Sequence, residues 1–331
     1  MKSSVLVVLA DKNYFNQAKQ LFSAAYWKAG WKGDYLLLAH EASPDDVFWF
    51  LNKGILVMHC KENPASSGKK IDAILASKFY MFTDFFKQWQ HVIYLDTDII
   101  IKGPLDGLLD LKGFGACPSL GQVFKDNLIN YDKIDSNVLQ ELKMNFDFNK
   151  NTFNAGVMSF DTKIISDGMF EDLLGLFKKY LNFVHYSDQS VLNFYFYNKW
   201  IALLPVYNRT IEKSEYPTVD PSSIDGIVIH TVSLGDGPWN EDNIFYPEWK
   251  ENFDRADEMD LSKIPDVPPW PLKKIKEHSG RIIKKHFYGG PRQFLKKAVR
   301  LLQKDPVRFF SKIKQFFNYH RLGGLEDTSH K

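Results

Sequence analysis

The sequence predicts an α/β fold in which a mostly parallel sheet is covered by helices on both faces. Two observations carry this expectation. Short apolar runs alternate with longer amphipathic stretches over the first 115 or so residues, the pattern of strands linked by crossover helices. The apolar runs are also continuous rather than alternating, as strands buried on both faces are. Length and composition agree: 331 residues, 44% hydrophobic and 25% charged, suit one large globular domain with an appendage.

The elements are expected in the following order. Residues 5–9 form a first strand. The apolar run is too short for the core of a signal peptide and is followed at once by Asp11-Lys12-Asn13. Residues 14–28 form a helix, with Phe15, Ala18, Leu21, Phe22 and Ala25 at helical spacing. A second strand (34–39), a short helix (45–52) and a third strand (55–58) follow. A long helix is expected over 71–89, with Ile74, Leu75, Phe79, Phe82 and Phe86 on one side, and then a strand at 92–95. Residues 121–151 read as a polar helical or loop insertion. A strand at 153–160, helices at 168–183 and 187–196, and strands at 201–204 and 227–229 complete the body. Ser187-Asp188-Gln189 looks like a helix cap. Pro265, Pro268, Pro269 and Pro271 mark a linker, placing a catalytic domain at 1–264 and an extension at 265–331.

The most telling stretch is His91 to Ile101, where Asp96 and Asp98 interrupt an apolar run. Side chains two apart on a strand share a face, so the two carboxylates project together, or fan around one point if the strand ends there. Two neighbouring like charges need neutralising, and a divalent cation with oxygen preference does this. A strand end with two solvated aspartates is the plainer alternative. Ligands of open α/β sheets bind beyond the carboxyl ends of the strands, where Asp11 and this pair are expected.

The net charge of +2 hides an asymmetry. Residues 270–331 hold 16 Lys and Arg against 4 Asp and Glu, a net of +12, which leaves a net of −10 on residues 1–269. Within this segment, residues 292–303 and 305–317 carry stripes of Phe, Leu and Ile beside Lys and Arg. Basic amphipathic helices of this kind suit an anionic membrane surface. Packing on the body is the alternative. Nucleic-acid binding is disfavoured, because the aromatics fall in helical stripes rather than on a sheet. No apolar run reaches the roughly 20 residues of a membrane span. Two cysteines, Cys60 and Cys117, form no disulfide framework and favour a reduced, cytoplasmic compartment.

Several motifs in order resemble the family 8 glycosyltransferases, the retaining group that includes bacterial lipopolysaccharide galactosyl- and glucosyltransferases and glycogenin. The resemblance runs from about residue 5 to about residue 240. Val8-Leu9-Ala10-Asp11 with Tyr14 resembles the nucleotide-contacting first strand and loop. Tyr94-Leu95-Asp96-Thr97-Asp98 matches the DxD motif, Phe153-Asn154-Ala155-Gly156-Val157 the donor-sugar motif, and Ser187-Asp188-Gln189 the DQ element. His230, with Gly235, Pro238 and Trp239, is similar to the family's HxxGxxKPW ending.

The resemblance implies a GT-A fold and a UDP-sugar donor, glucose or galactose, held with Mn²⁺ or Mg²⁺ by Asp96, Asp98 and His230. It further implies donor contacts from Ala10, Asp11, Tyr14, Lys78, Thr97, Asn154, Ala155 and Gly235, and catalytic roles for Asp188 and Gln189. The acceptor is expected to be a saccharide or glycolipid at the inner face of the cytoplasmic membrane, with the basic tail as a peripheral anchor. One departure stands out: the usual lysine before Pro-Trp is Gly237, in a loop one residue longer. A cation for the diphosphate is then expected from Lys78, Arg209 or Lys213. A non-enzymatic, membrane-bound protein with a degenerate donor site is the alternative this departure raises. A haloacid-dehalogenase-type phosphatase, which also uses Asp-x-Asp, is disfavoured because three strands precede the motif and Ile100 follows it.

Overall fold

The computed structural model of the chain describes residues 2–61, 70–129, 134–211, 220–232 and 236–288. Its main sheet has seven strands: β1 (Lys2–Ala10), β2 (Asp34–His40), β3 (Leu56–Cys60), β4 (Trp89–Leu95), β6 (Phe114–Val123), β7 (Asn151–Asp161) and β8 (Trp200–Ala202). Their order is β3-β2-β1-β4-β7-β6-β8. Every adjacent pair is parallel except the two that involve β7. A second sheet sets β10 (Val228–His230) between β5 (Ile99–Ile101) and β9 (Arg209–Thr210).

The continuous apolar strands are explained by two cores. Val5, Val7, Leu36, Leu38, Val92 and Tyr94 face one. Their strand neighbours Leu6, Val8, Leu37, Ile93 and Leu95 face the other, against helix α1 (Phe15–Trp27). Helices α2 (Pro44–Asn52), α3 (Lys70–Ala76), α4 (Ser136–Asn145), α5 (Met169–Tyr180), α6 (Ser187–Tyr195), α7 (Tyr246–Asp254) and α8 (Leu272–Tyr288) complete the fold.

Three expectations are corrected. The long helix at 71–89 is α3 followed by 3₁₀ turns at Ser77–Phe82 and Asp84–Gln88, and Trp89 already belongs to β4. Thr83 breaks it in an extended conformation (ψ 162°), its hydroxyl donating to the Tyr80 carbonyl at 2.8 Å. Phe79, Met81, Phe82 and Phe86 are all buried, more than one face of a regular helix offers. Strand β6 was not anticipated, because Gly115, Pro118 and Gly121 interrupt its apolar pattern; the register shifts beside Pro118. Ser187 does not cap α6; its hydroxyl donates to Asp72 Oδ1 at 2.6 Å and ties α6 to α3.

The extension begins close against the body. A Cβ on Gly30, which has φ +58°, would meet the Pro265 carbonyl oxygen at 2.6 Å. Helix α8 buries Ile275, Ser279, Ile282 and Ile283 and turns Lys273, Lys274, Lys284 and Lys285 outward. Arg281 clamps Asp225 at 2.7–3.0 Å, and His278 Nδ1 lies 2.8 Å from the same carboxylate. The amphipathic stripes at 292–303 and 305–317 lie outside the described residues. Among the described residues no helix is long and apolar enough to cross a membrane.

Candidate active site

The site forms where the two sheets meet. Strand β4 ends at Leu95, so Asp96-Thr97-Asp98 is a turn and its carboxylates fan around one point. The chain then enters β5, which pairs antiparallel with β10 in the register Ile99↔His230. Thr231 N and Oγ1 both donate to the Asp98 carbonyl, at 3.1 and 3.0 Å. This brings His230 Nε2 to 3.1 Å from Asp98 Oδ1 and 4.0 Å from Asp96 Oδ2. One ligand atom from each of Asp96, Asp98 and His230 falls within 4.8 Å of the others.

Oxygen donors with one imidazole fit a divalent cation such as Mn²⁺. The Asp96 and Asp98 side chains retain 28% and 21% exposure, which leaves coordination positions open on the solvent side. Burial pulls the His230 imidazole down, but Asp98 and then Asp96 outweigh it and hold the ring above the ordinary histidine range. Burial likewise pushes Asp98 up, and His230 more than offsets this, leaving the carboxyl below its usual value.

On the other side of the pair, strand β7 pairs antiparallel with β4, and Asp96 N donates to the Gly156 carbonyl at 2.9 Å. The stretch Asn154-Ala155-Gly156 therefore lies beside the carboxylates. Gly156 is required by a close approach, since a Cβ there would sit 2.2 Å from His230 Cε1. Helix α6 packs beneath. Asn193 holds it to β7 by accepting from Phe153 N and donating to the Phe153 carbonyl, both at 3.0 Å. Gln189 is thereby placed with its Oε1 accepting from Asn154 Nδ2 at 3.0 Å and from Ala155 N at 3.1 Å.

Lys78 is not on a solvated face. It is 2% exposed, with its ammonium 2.5 Å from Asp188 Oδ2 and 3.2 Å from Asp96 Oδ1. It also lies over the Tyr94 ring, 4.7 Å from the centroid, while the Tyr94 hydroxyl donates to Asp96 Oδ1 at 2.7 Å. Burial lowers its proton affinity, yet Asp188 and Asp96 together hold it above the ordinary lysine range, so it is a fixed cation.

The remaining expected residues are placed as follows. Ala10 is buried at the end of β1, whose Val8 is in register with Leu95, and Thr97 sits in the turn between the metal-type carboxylates. The Asp11 carboxylate closes a local turn, accepting from Asn13 N at 3.0 Å and Asn13 Nδ2 at 2.9 Å. Tyr14 meets Trp239 edge to face with centroids 5.8 Å apart. Trp239 also covers the position where the motif usually has lysine, for a Cβ on Gly237 would lie 2.3 Å from its ring. Arg209 donates through Nη1 to the Thr210 carbonyl at 2.6 Å. Gly235 and Lys213 lie outside the described residues.

Three site residues escaped the sequence reading: Tyr94, Asn193 and Asn208. Tyr94 is two positions before Asp96 at the end of β4, and Asn193 is four after Gln189 on one helix face, so spacing could have found both. Asn208 follows the 3₁₀ turn Pro205–Tyr207 and had no such signal.

Comparison with known proteins fits this geometry. The signature of glycosyl transferase family 8 matches residues 39–242, and the chain belongs to this family. Glycosyltransferase GlyF of Streptococcus pneumoniae is 29% identical over 228 residues, covering 62% of this chain and 50% of the relative. A lipopolysaccharide 1,2-glucosyltransferase of Escherichia coli is also 29% identical over 228 residues, covering 62% of this chain and 59% of its own. The chain thus spans between half and three fifths of the length of these curated relatives. The galactosyltransferase LgtC, solved with donor and acceptor sugar analogs, superposes with a TM-score of 0.55 at 18% identity, over 80% of this chain and 97% of LgtC. The shared architecture is the GT-A fold.

Proposed function

We propose that the protein is a metal-dependent, retaining glycosyltransferase that moves a hexose, glucose or galactose, from a UDP-sugar to a cell-surface saccharide or a glycolipid. The observation that carries this reading is the juxtaposition of the Asp96, Asp98 and His230 ligand atoms, within 4.8 Å, with the Asn154, Asp188 and Gln189 cluster. Asp96, Asp98 and His230 would hold Mn²⁺ or Mg²⁺, which would supply positive charge against the departing diphosphate.

The chain's own residues do the rest. Asn154 and Asp188 offer short polar groups to sugar hydroxyls. Lys78 keeps Asp188 in an ion pair, which suits a fixed sugar contact and makes the carboxylate a weaker nucleophile. Gln189 is un-ionisable, and both lone pairs of its oxygen are filled by Asn154 and Ala155. Turning the Asn154 amide toward the sugar frees one of these lone pairs for the cationic transition state. We read transfer as retaining, as the family resemblance implies, by a front-face route in which Gln189 supports that transition state. We assign Ala10, Asp11, Tyr14 and Thr97 to the nucleotide, and Gly235 to the diphosphate on its motif alone.

We propose that residues 265–331 are an extension, joined to the body through α8, whose lysines bind an anionic membrane, with the enzyme peripheral at the inner face of the cytoplasmic membrane. A second reading, a donor-binding protein without turnover, is favoured by two observations: Trp239 fills the space above Gly237, and Lys78 is committed to Asp96 and Asp188. A screen of nucleotide sugars with Mn²⁺ and with chelator separates the two. Metal-dependent release of UDP from one or two UDP-hexoses supports the transferase; tight UDP binding with no release from any donor supports the binding protein.

A further inference from the structure

We infer that Asn208 is a positioning residue that fixes the orientation of His230 and links the metal-type triad to the sugar-binding amides. Its Oδ1 lies 3.0 Å from His230 Nδ1, and its Nδ2 lies 2.8 Å from Asn154 Oδ1. Asn208 is 5% exposed and belongs to none of the motifs that define the site.

The orientation of every group in this chain follows from two backbone donors, which cannot reverse. Ala155 N–H points at Gln189 at 3.1 Å, so the atom it meets is the amide oxygen. Gly156 N–H points at Asn154 at 2.9 Å, which identifies that atom as Oδ1 and turns Asn154 Nδ2 toward Gln189. Asn154 Oδ1 also faces Asn208, so Asn208 presents its NH₂ there. The Asn208 oxygen is then left for His230, and it can only accept. His230 must therefore carry a proton on Nδ1, and Nε2, 3.1 Å from Asp98, is the nitrogen that faces the cation. Side-chain amides are ordinarily ambiguous by 180°, and here the two N–H groups remove the ambiguity.

A metal-ligating histidine whose second nitrogen donates to a fixed acceptor is held in ring orientation and tautomer. In this protein the acceptor is an amide whose other end is bonded to Asn154. A rotation of His230 thus moves Asn208 and then Asn154, so the metal ligand and the sugar contact are set by the same three side chains. Gly156 supplies the room, since any Cβ would strike the ring.

The inference uses the proposed metal site, and its first readout needs no turnover: Mn²⁺ affinity with and without UDP, measured on the whole chain by calorimetry and Mn²⁺ electron paramagnetic resonance at alkaline pH. Asn208→Ala should weaken Mn²⁺ binding by about ten- to a hundredfold. Asn208→Asp keeps the acceptor for Nδ1–H and loses the donor to Asn154. It should hold Mn²⁺ as tightly as wild type while lowering kcat for UDP-sugar turnover. Wild-type Mn²⁺ affinity in Asn208→Ala overturns the inference. So does weak binding in Asn208→Asp, which needs only the milder variant to fold and would show that the oxygen is not what matters. Failure of wild type to bind Mn²⁺ removes both the inference and the metal assignment. Mn²⁺ binding with no turnover of any donor removes the transferase reading and leaves the Asn208 result standing.

Discussion

Two networks meet at strand β7, and they differ in kind. One is ionic: Lys78 lies between Asp96 and Asp188, with Tyr94 beneath it. The other is made of neutral amides: Gln189, Asn154 and Asn208, ending on His230. The ionic side is strong and non-directional, and it balances two carboxylates around one fixed cation. The amide side is weaker per contact, but each bond has a sense, and that sense decides which atoms face a ligand. The comparison suggests that charge is set by one network and orientation by the other.

The largest effects should come from the carboxylates. Asp96→Asn or Asp98→Asn should abolish Mn²⁺-dependent UDP binding while leaving the thermal unfolding profile close to wild type, as read by calorimetry in both modes. Unchanged UDP affinity in both variants would remove the metal assignment. Lys78→Met should destabilise the fold by about 3–5 kcal/mol in urea, because it strands buried negative charge. Lys78→Arg should recover much of that loss. A Lys78→Met protein as stable as wild type would show that the ionic side is not balanced by this lysine.

On the amide side the effects should be kinetic. Gln189→Ala should mainly lower kcat with a smaller change in KM, and the product, read by NMR, should keep the α-configuration of the donor. A β-linked product from an α-donor would reject the retaining mechanism. The two networks also respond differently to pH. His230 is held above its ordinary range without metal, and a protonated imidazole cannot ligate, so Mn²⁺ affinity should fall as pH drops through that raised value. Calorimetry near pH 6 in buffers of different ionisation enthalpy should show proton release on binding; heats independent of buffer would place the metal away from His230. Lys78, held above the ordinary lysine range by Asp188 and Asp96, stays charged over the same interval.

The smallest effect on turnover should come from the C-terminal extension. Ending the chain after Tyr288 should reduce sedimentation with anionic vesicles and spare donor hydrolysis, and the intact chain's own sedimentation should weaken at high salt. Ending it after Pro271 should also lower stability, because it removes Ile275, Ile282 and Ile283, which are buried against the body. Equal sedimentation of intact and shortened proteins would deny the extension its anchoring role.

What could be read from the sequence follows the same division. The apolar runs of β1, β2 and β4 were legible because both their faces are buried, whereas β3, half-exposed at the sheet edge, was legible from its short apolar run alone. Asp96 and Asp98 were legible because charge inside such a run needs a reason. The helix expected at 71–89 failed because Thr83 breaks it and Phe79, Met81, Phe82 and Phe86 all enter one core, more positions than one face of a regular helix offers, and β6 failed because Gly115, Pro118 and Gly121 hide a strand that bends. The amide network was only half visible. Asn154 and Gln189 sit in recognisable motifs, whereas Asn208 is a lone polar residue after a turn, and its role exists only once β9 and β10 bring it to His230. The docking of α8 was hidden because its lysines dominate the composition while four buried positions do the packing.

The central claim is that Asp96, Asp98 and His230 hold one divalent cation at the junction of the two networks. Anomalous diffraction from crystals grown with Mn²⁺ and UDP tests it directly. A single strong manganese peak bonded to oxygens of Asp96 and Asp98 and to Nε2 of His230, with Nδ1 still facing Asn208, is the expected result. A peak elsewhere, or one bonded through Nδ1, would contradict the account.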